Sequence, residues 1–491
     1  MRATVRPVVS TFLILLAVVV STAGPVAAAR TAGGIAWTSC PGDSTAQCGT
    51  LSVPIDWADP ASARIPMAVA RRPATDPAHR IGTLVVHPGG PGESGVDFAL
   101  DTFFSAALRA RFDIVGFDPR GIGRSHPVVC SAALMDAAPA PLITGRQQYD
   151  AVVAYNRRLT ADCRARTGPL YDHVDTLSVV RDTDALRTAL GEERISFYGA
   201  SYGTVLGTQY AARFPRRVRA VVLDGVLDHS VGVTEFLRTG AAAAQDAFNQ
   251  FVAWCARDRA CPVHGRDVRA LWADLLARAA AGRLRDPFVP GRSVSVYGLL
   301  DVGFSSFYAP QWYSLAYYLN QAGPEAAAVV RTPPSFRAVM CADWNLPVRG
   351  YTDLAARLRA LRERAPQMLA SPLTLTATVG CLGRSVPAVN PQRPLVPATM
   401  PVLVVGTRHD PAAAYRWARR VAARLGPSAR LLTYRGSGHI AYGRSACVTG
   451  VVDRFLLTGR AKAAFCPAVP PSPAGVGTTI AARVVPRRHA E

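Results

Sequence analysis

The chain of 491 residues alternates short apolar runs with amphipathic segments over most of its length. Apolar runs bounded by Gly, Pro and Asp predict strands, and they lie at 51–55, 65–70, 83–86, 112–117, 195–198, 218–226, 401–405 and 430–434. Apolar residues at helical spacing occur between or after them, at 179–190, 204–212, 415–425 and 448–457. This alternation predicts an α/β fold, with a mostly parallel sheet that carries helices on both faces.

One long segment breaks the alternation. From residue 229 onward helical patterns dominate, at 236–255, 268–281 and 311–321, and the last of them is rich in aromatic residues. An aromatic stripe of this kind is more often core than binding surface, but a cap over an active site also needs an apolar underside. We therefore interpret 229–340 as a helical cap between two parts of the core, 30–228 and 341–466, and the Pro-, Ala- and Arg-rich residues 467–491 as a disordered tail.

The N-terminus has the features of an export signal. Arg2 and Arg6 precede an apolar run at 12–20, and Ala27, Ala28 and Ala29 form a small-residue cleavage site. These features predict a cleaved signal peptide over 1–29, hence a secreted protein without a membrane anchor.

Ten cysteines in an exported chain, none in a zinc-type spacing, predict disulfides rather than a metal site. Connectivity does not follow from spacing. The simplest hypothesis joins neighbours in chain order: Cys40 with Cys48, Cys130 with Cys163, Cys255 with Cys261, Cys341 with Cys381, and Cys447 with Cys466.

The formal net charge of +21 raises the question of a nucleic-acid partner. The charge is scattered, however, and it is almost entirely arginine, Lys462 being the only lysine. A codon bias toward arginine explains this pattern better than a nucleic-acid surface does. We therefore expect no nucleic-acid partner. We also expect the protein to be a monomer.

The segment around Ser201 carries the clearest chemical signal. Gly199-Ala200-Ser201-Tyr202-Gly203 fits G-x-S-x-G, and it lies between a predicted strand and a predicted helix. In this arrangement a serine occupies a strained turn at a helix N-terminus, with its hydroxyl exposed as a nucleophile. The pentapeptide also occurs by chance in glycine-rich turns, so the rest of the chain has to supply the partners.

A serine nucleophile needs a general base, and that base needs an orienting acid. Asp410 follows the predicted strand at 401–405, and His439 follows the one at 430–434, in the order Ser, Asp, His that such hydrolases have. His409 is a rival base that its neighbour Asp410 could not orient, and Asp224 is a rival acid for which a turn-forming role is the better interpretation.

Two backbone N–H groups are expected to hold the developing oxyanion: that of Tyr202, directly after the nucleophile, and that of Gly90 in the loop His87-Pro88-Gly89-Gly90-Pro91-Gly92. This chemistry needs no metal and no cofactor, and we expect neither.

Several motifs together resemble the secreted tripeptidyl aminopeptidases, in the proline iminopeptidase branch of the α/β-hydrolases. They are H-P-G-G-P-G at 87–92, F-D-P-R-G-I-G-R-S at 117–125, Y-G-A-S-Y-G at 198–203, F-P-R-R-V-R-A-V-V-L-D-G-V at 214–226 and G-H-I-A-Y-G at 438–443. The resemblance spans about residues 37–466 and implies an α/β-hydrolase fold with a helical cap, export, an oxyanion donor at Gly90 and a peptide substrate. The family loop commonly has small residues where this chain has Glu93.

An aminopeptidase must bind a positively charged N-terminus, which calls for a carboxylate in the cap or at the rim of the cleft. Glu93, Glu235 and Asp343 are the substrate-binding candidates, although each could be an ordinary surface acid. We therefore expect a secreted serine exopeptidase that removes short peptides from free N-termini. A carboxylesterase or lipase-like enzyme with the same triad and a catalytically idle binding protein are the alternatives.

Overall fold

The computed structural model describes residues 34–471, except for 102, 286–290, 292, 322–331 and 462–463. The expected signal peptide at 1–29 and most of the expected tail at 467–491 lie outside the described residues. Among the described helices, none is long and apolar enough to cross a bilayer.

A single twisted sheet of ten strands forms the centre of the described chain, in the order β1-β2-β3-β5-β4-β6-β7-β8-β9-β10. Strands β1, β2, β3 and β5 pair antiparallel, and the pairs from β5 through β4 to β10 are parallel. The strands are β1 (Thr38–Cys40), β2 (Asp43–Pro54), β3 (Arg64–Arg72), β4 (Gly82–His87), β5 (Phe112–Phe117), β6 (Ile195–Ala200), β7 (Val218–Asp224), β8 (Val402–His409), β9 (Ala429–Ser437) and β10 (Phe465–Cys466).

Helices cover both faces of this sheet. Alternate residues of its central strands therefore pack into two different apolar clusters. Val221 of β7 packs in one cluster and its neighbour Val222 packs in the other. The helices are α1 (Gly95–Leu100), α2 (Ala106–Arg111), α3 (Ala132–Asp136), α4 (Arg146–Thr167), α5 (Thr176–Ala189), α6 (Gly203–Arg213), α7 (Val233–Arg257), α8 (Val268–Ala280), α9 (Val296–Tyr308), α10 (Trp312–Gln321), α11 (Pro334–Asp343), α12 (Tyr351–Arg364), α13 (Pro372–Gly380), α14 (Tyr415–Leu425) and α15 (Ala446–Thr458).

The described residues between β7 and β8 are helical or irregular, from α7 through α13. The helical insertion in the sheet therefore continues past residue 340, which lies inside α11. The division into core and cap at that residue stays a prediction. Helices α4, α9 and α12, of 22, 13 and 14 residues, were not anticipated from the sequence.

All ten cysteines form disulfides, and the five pairs are those expected from chain order. Cys40–Cys48 joins β1 to β2 near the N-terminus of the described chain. Cys447–Cys466 joins α15 to the edge strand β10, shortly after the loop that carries His439. The simple pairing hypothesis is confirmed.

Candidate active site

Ser201 lies on the tight turn between β6 and α6, as the motif predicts. Its φ of 53° is in the left-handed region, which a residue with a side chain seldom occupies. A Cβ on Gly199 would lie 2.3 Å from the carbonyl oxygen of Gly203, and a Cβ on Gly203 would lie 2.6 Å from that of His87. Both flanking positions therefore require glycine if the serine is to keep this conformation.

His439 and Asp410 form a buried pair at the carboxyl ends of β9 and β8. Nδ1 of His439 lies 3.0 Å from Oδ1 and 2.9 Å from Oδ2 of Asp410, and both side chains are fully shielded from solvent. Oδ1 of Asp410 also accepts hydrogen bonds of 2.8 Å from the N–H groups of Ala412 and Ala413. The carboxylate is thus fixed in position, and it holds the Nδ1–H tautomer of the imidazole.

The other imidazole nitrogen, Nε2 of His439, is buried and has no hydrogen-bond partner among the described residues. With the proton on Nδ1, Nε2 carries the lone pair that a general base needs. The bond from the Ser201 hydroxyl to Nε2 is therefore not formed here, and such contacts often tighten only when substrate binds.

Asp224, at the end of β7, connects the serine turn to the histidine loop. Its carbonyl oxygen accepts a bond of 2.8 Å from the N–H of Ser201. Its carboxylate accepts bonds from the N–H groups of Ala441 and Tyr442 and from the hydroxyl of Tyr198. Burial raises the pKa of Asp224. This carboxylate fixes the loop that bears His439, so Asp224 does not serve as the acid of the pair.

The rival base His409 has a different partner. Its Nδ1 lies 2.7 Å from Oδ2 of Asp246 on α7, so it ties strand β8 to the helical insertion. His439 contacts that insertion as well. Its backbone N–H donates to the carbonyl oxygen of Tyr308 (2.7 Å), and the two rings meet edge to face with centroids 5.0 Å apart.

The glycine-rich loop after β4 packs directly on the serine turn. A Cβ on Gly89 would lie 2.5 Å from the carbonyl oxygen of Ala200 and 2.7 Å from the nitrogen of Tyr202. The N–H of Gly89 donates to Nδ1 of His87 (3.1 Å), whose pKa burial lowers to about 4, so that this imidazole is neutral and can accept. Pro88 and Pro91 have no N–H, and the N–H of Gly89 is engaged by His87. The N–H of Gly90 is therefore the first donor of this loop that could bind an oxyanion.

The three candidate anchors for a substrate amine lie in different surroundings. Glu93 is half-buried beside the glycine loop, and no ion pair or side-chain hydrogen bond involves it within the described chain. Burial raises its pKa to about 7, and the negative charge of Asp97 adds to this effect. Glu235 on α7 instead pairs with Arg420 (3.0 Å) and Arg416 (3.7 Å) of α14, so its charge is already compensated.

Asp343 is unsuited to bind a substrate amine, which corrects the expectation from the sequence. It is fully buried, and its two oxygens accept four hydrogen bonds, from the N–H and hydroxyl of Thr176, the amide of Asn390 and the hydroxyl of Tyr202. Burial raises its pKa to about 6. Through Tyr202, Asp343 positions the residue that follows the candidate nucleophile.

Replacement of Asp343 with alanine is expected to destabilise the protein without selecting between substrates. It leaves the N–H of Thr176 without an acceptor in the interior, at about 1–3 kcal/mol in the free energy of unfolding. It also removes one of the two hydrogen bonds that the amide of Asn390 donates, the other being to Oε1 of Gln209. Asp343→Asn keeps an acceptor for these two donors and should cost less. Urea denaturation measures the stability, and a KM increase confined to free-amine peptides would restore Asp343 as an anchor.

Sequence reasoning missed one carboxylate, Asp301 on α9. It lies two helical turns before Tyr308 and on the same helical face, since the two are seven residues apart. Burial raises the pKa of Asp301 to about 6, and it takes part in no hydrogen bond or ion pair within the described residues. The spacing Tyr297, Asp301, Phe304, Tyr308 is the signal that could have identified this face.

Comparisons with known proteins agree with this geometry. Serine protease Hip1 of Mycobacterium tuberculosis is 31% identical over 87% of this chain and 89% of its own length. Carboxylesterase B of the same species is 34% identical over 84% of this chain and 85% of its own. Tripeptidyl aminopeptidase of Streptomyces lividans is 31% identical over 89% and 87%, respectively.

These relatives bear out the resemblance drawn from the motifs. The α/β hydrolase fold family matches residues 82–444, from the start of β4 to a few residues after His439. The match covers well over half of the chain and includes every candidate of the Ser, Asp, His set. The chain therefore belongs to the α/β hydrolase fold family.

Proposed function

We propose that the protein is a serine peptidase of the aminopeptidase type, which removes short peptides from free N-termini through an acyl-enzyme. The observation that carries this proposal is the buried His439–Asp410 pair, whose Nε2 is left without a partner while Asp224 holds both the serine turn and the histidine loop. The names of two relatives, serine protease Hip1 and tripeptidyl aminopeptidase, favour peptide bonds as the target.

In the proposed reaction Ser201 Oγ attacks the scissile carbonyl carbon, and Nε2 of His439 takes the hydroxyl proton. The N–H groups of Tyr202 and Gly90 donate to the oxyanion of the tetrahedral intermediate. Nε2 then gives its proton to the leaving amine, and the C–N bond breaks to leave an ester on Ser201. Water, deprotonated by the same nitrogen, hydrolyses this ester, and Asp410 stabilises the imidazolium in both steps.

A comparison of three substrates tests this proposal against the esterase alternative, which the relative named carboxylesterase B keeps open. The substrates are a tripeptidyl p-nitroanilide with a free amine, its N-acetyl form, and a p-nitrophenyl acyl ester. We expect the free-amine anilide to have the highest kcat/KM. If only the ester is turned over, the protein is an esterase and the proposal fails.

Glu93 is the proposed anchor for the substrate ammonium group. Its pKa of about 7 means that it becomes ionised as the pH rises through neutrality, while a peptide α-amino group loses its proton near pH 8. KM for free-amine substrates should therefore fall as the pH rises toward 7 and rise again above about 8. N-acetyl substrates should lack this dependence, and steady-state kinetics from pH 5.5 to 9 measure both.

Glu93→Gln and Asp301→Asn form a matched pair for the same assay, since each removes one unpaired carboxylate that burial has made hard to ionise. Glu93→Gln should raise KM for the free-amine anilide about tenfold, spare the N-acetyl form and abolish the pH dependence. A selective effect of Asp301→Asn alone would move the anchor to α9 of the insertion.

We also propose that the protein acts outside the cell as a monomer, after removal of residues 1–29. Its five disulfides support an oxidising compartment. N-terminal sequencing of the protein from culture medium tests the cleavage, and a start before Arg30 contradicts it.

A further inference from the structure

A cavity of about 520 Å³, apart from the candidate active site, lies beside α4, α11 and the segment that follows Cys381. None of Ser201, Asp410 and His439 lines it. It is separated from the candidate active site by α11. Asp343 on one face of this helix binds Tyr202, whereas Arg337 and Cys341, on the opposite face, line the cavity.

The wall of this cavity is strongly basic. Four guanidinium groups line it, together with a single carboxylate; the arginines are Arg157, Arg164, Arg337 and Arg384. The carboxylate, Asp172, is engaged by Arg164 through a forked pair of contacts at 2.6 and 2.9 Å. The lining therefore has an excess of positive charge at neutral pH.

Two of these arginines are partly buried and have no carboxylate partner among the described residues. Arg337 donates to the carbonyl oxygens of Gly380 (2.6 Å) and Asn156 (2.9 Å) and to the hydroxyl of Thr160 (3.0 Å). Arg384 donates to the carbonyl oxygen of Pro387 (2.6 Å). Burial lowers the pKa of both groups, in keeping with the absence of a carboxylate partner.

A guanidinium that is removed from water without a counterion is costly, and a bound anion offsets that cost. Guanidinium forks match the oxygen geometry of phosphate, and a phosphate monoester carries about −1.5 to −2 charges at pH 7. The cavity volume is also in the range of sites for small organic ligands, so there is room for a body beyond the phosphate.

We propose that this cavity is a binding site for the phosphate group of a small phosphorylated molecule, with Arg337 and Arg384 as its principal ligands. It is independent of the proposed peptidase activity, because it lies on the opposite face of α11 and needs none of the groups that act on the peptide bond.

Isothermal titration calorimetry of the full chain with three probes tests the site: inorganic phosphate, glucose 6-phosphate and glucose. We expect both phosphates to bind and glucose not to bind. If glucose 6-phosphate binds more tightly than inorganic phosphate, the site is one for phosphate esters. If the two bind equally, the site is one for free phosphate, and either result supports the proposal. Failure of both phosphates to bind in 150 mM NaCl overturns it.

Variants separate a built site from the general attraction of a chain with a net charge of +21. Arg384→Gln, which loses one hydrogen bond to a carbonyl oxygen, should weaken phosphate binding about tenfold or more. Arg337→Gln should do the same, and its thermal melt shows whether it folds. Arg158→Gln, on an exposed position of α4 outside the cavity, is the matched control. An equal loss in Arg158→Gln would overturn the proposal.

Discussion

Replacement of Ser201 with alanine is expected to lower kcat for the free-amine anilide by roughly 10⁶-fold. The proposed acyl-enzyme forms on the Ser201 oxygen, and no other group at the turn can replace it. The free energy of unfolding should change little, because the Ser201 hydroxyl makes no hydrogen bond within the described residues and alanine keeps the same Cβ on the left-handed backbone. Covalent labelling by a fluorophosphonate measures the same group directly and should disappear in the variant.

Ser314→Ala is the control for this experiment, since Ser314 is exposed on α10. It should keep both the turnover and the labelling of the wild type. If Ser201→Ala still reacts with the fluorophosphonate, another nucleophile is present and the assignment of Ser201 is wrong. If the wild type itself is not labelled, the fold serves binding rather than catalysis.

Asp410→Asn is expected to lower kcat by about 10⁴-fold while the fold is retained. The remaining side-chain oxygen can still accept from the N–H groups of Ala412 and Ala413, which directs the new NH₂ group toward Nδ1 of His439. An amide that donates to Nδ1 forces the imidazole proton onto Nε2. The nitrogen that should accept the serine proton then has no lone pair available.

Asp246→Asn is the matched control, because it makes the same change at the partner of the rival base His409. We expect it to alter kcat no more than severalfold. Thermal melts of both variants verify folding. The reverse result, a large loss in Asp246→Asn and a small one in Asp410→Asn, would make His409 the base and would contradict the proposed set.

The parts of the fold and of the site that were foreseen depend on local sequence. The glycines around Ser201 are required by contacts within a few residues of the turn or with the adjacent loop. The apolar strands are predicted by their composition. The positions of Asp410 and His439 follow from the rule that parallel strands place their carboxyl ends at one edge. Each of these inferences needs only neighbours in the chain and a general rule of topology.

What was not foreseen depends on contacts between distant segments. Asp343 was taken for a rim carboxylate, but its surroundings are made by Thr176 and Asn390, 167 and 47 residues away. Asp301 was missed because α9 was not recognised, and its burial comes from the packing of the insertion. A charged residue looks the same in a sequence whether it meets water or four hydrogen-bond donors.

The hydrogen bond from the N–H of His439 to Tyr308 has a consequence for how the enzyme can be reduced in size. The imidazole is secured to the sheet by Asp410 and to α9 by this bond and by the edge-to-face ring contact. A fragment that retains the sheet but lacks the insertion would keep Ser201, His439 and Asp410 yet lose one support of the His439 backbone. Hydrolytic competence is therefore a joint property of two chain segments, and they cannot be exchanged as independent modules.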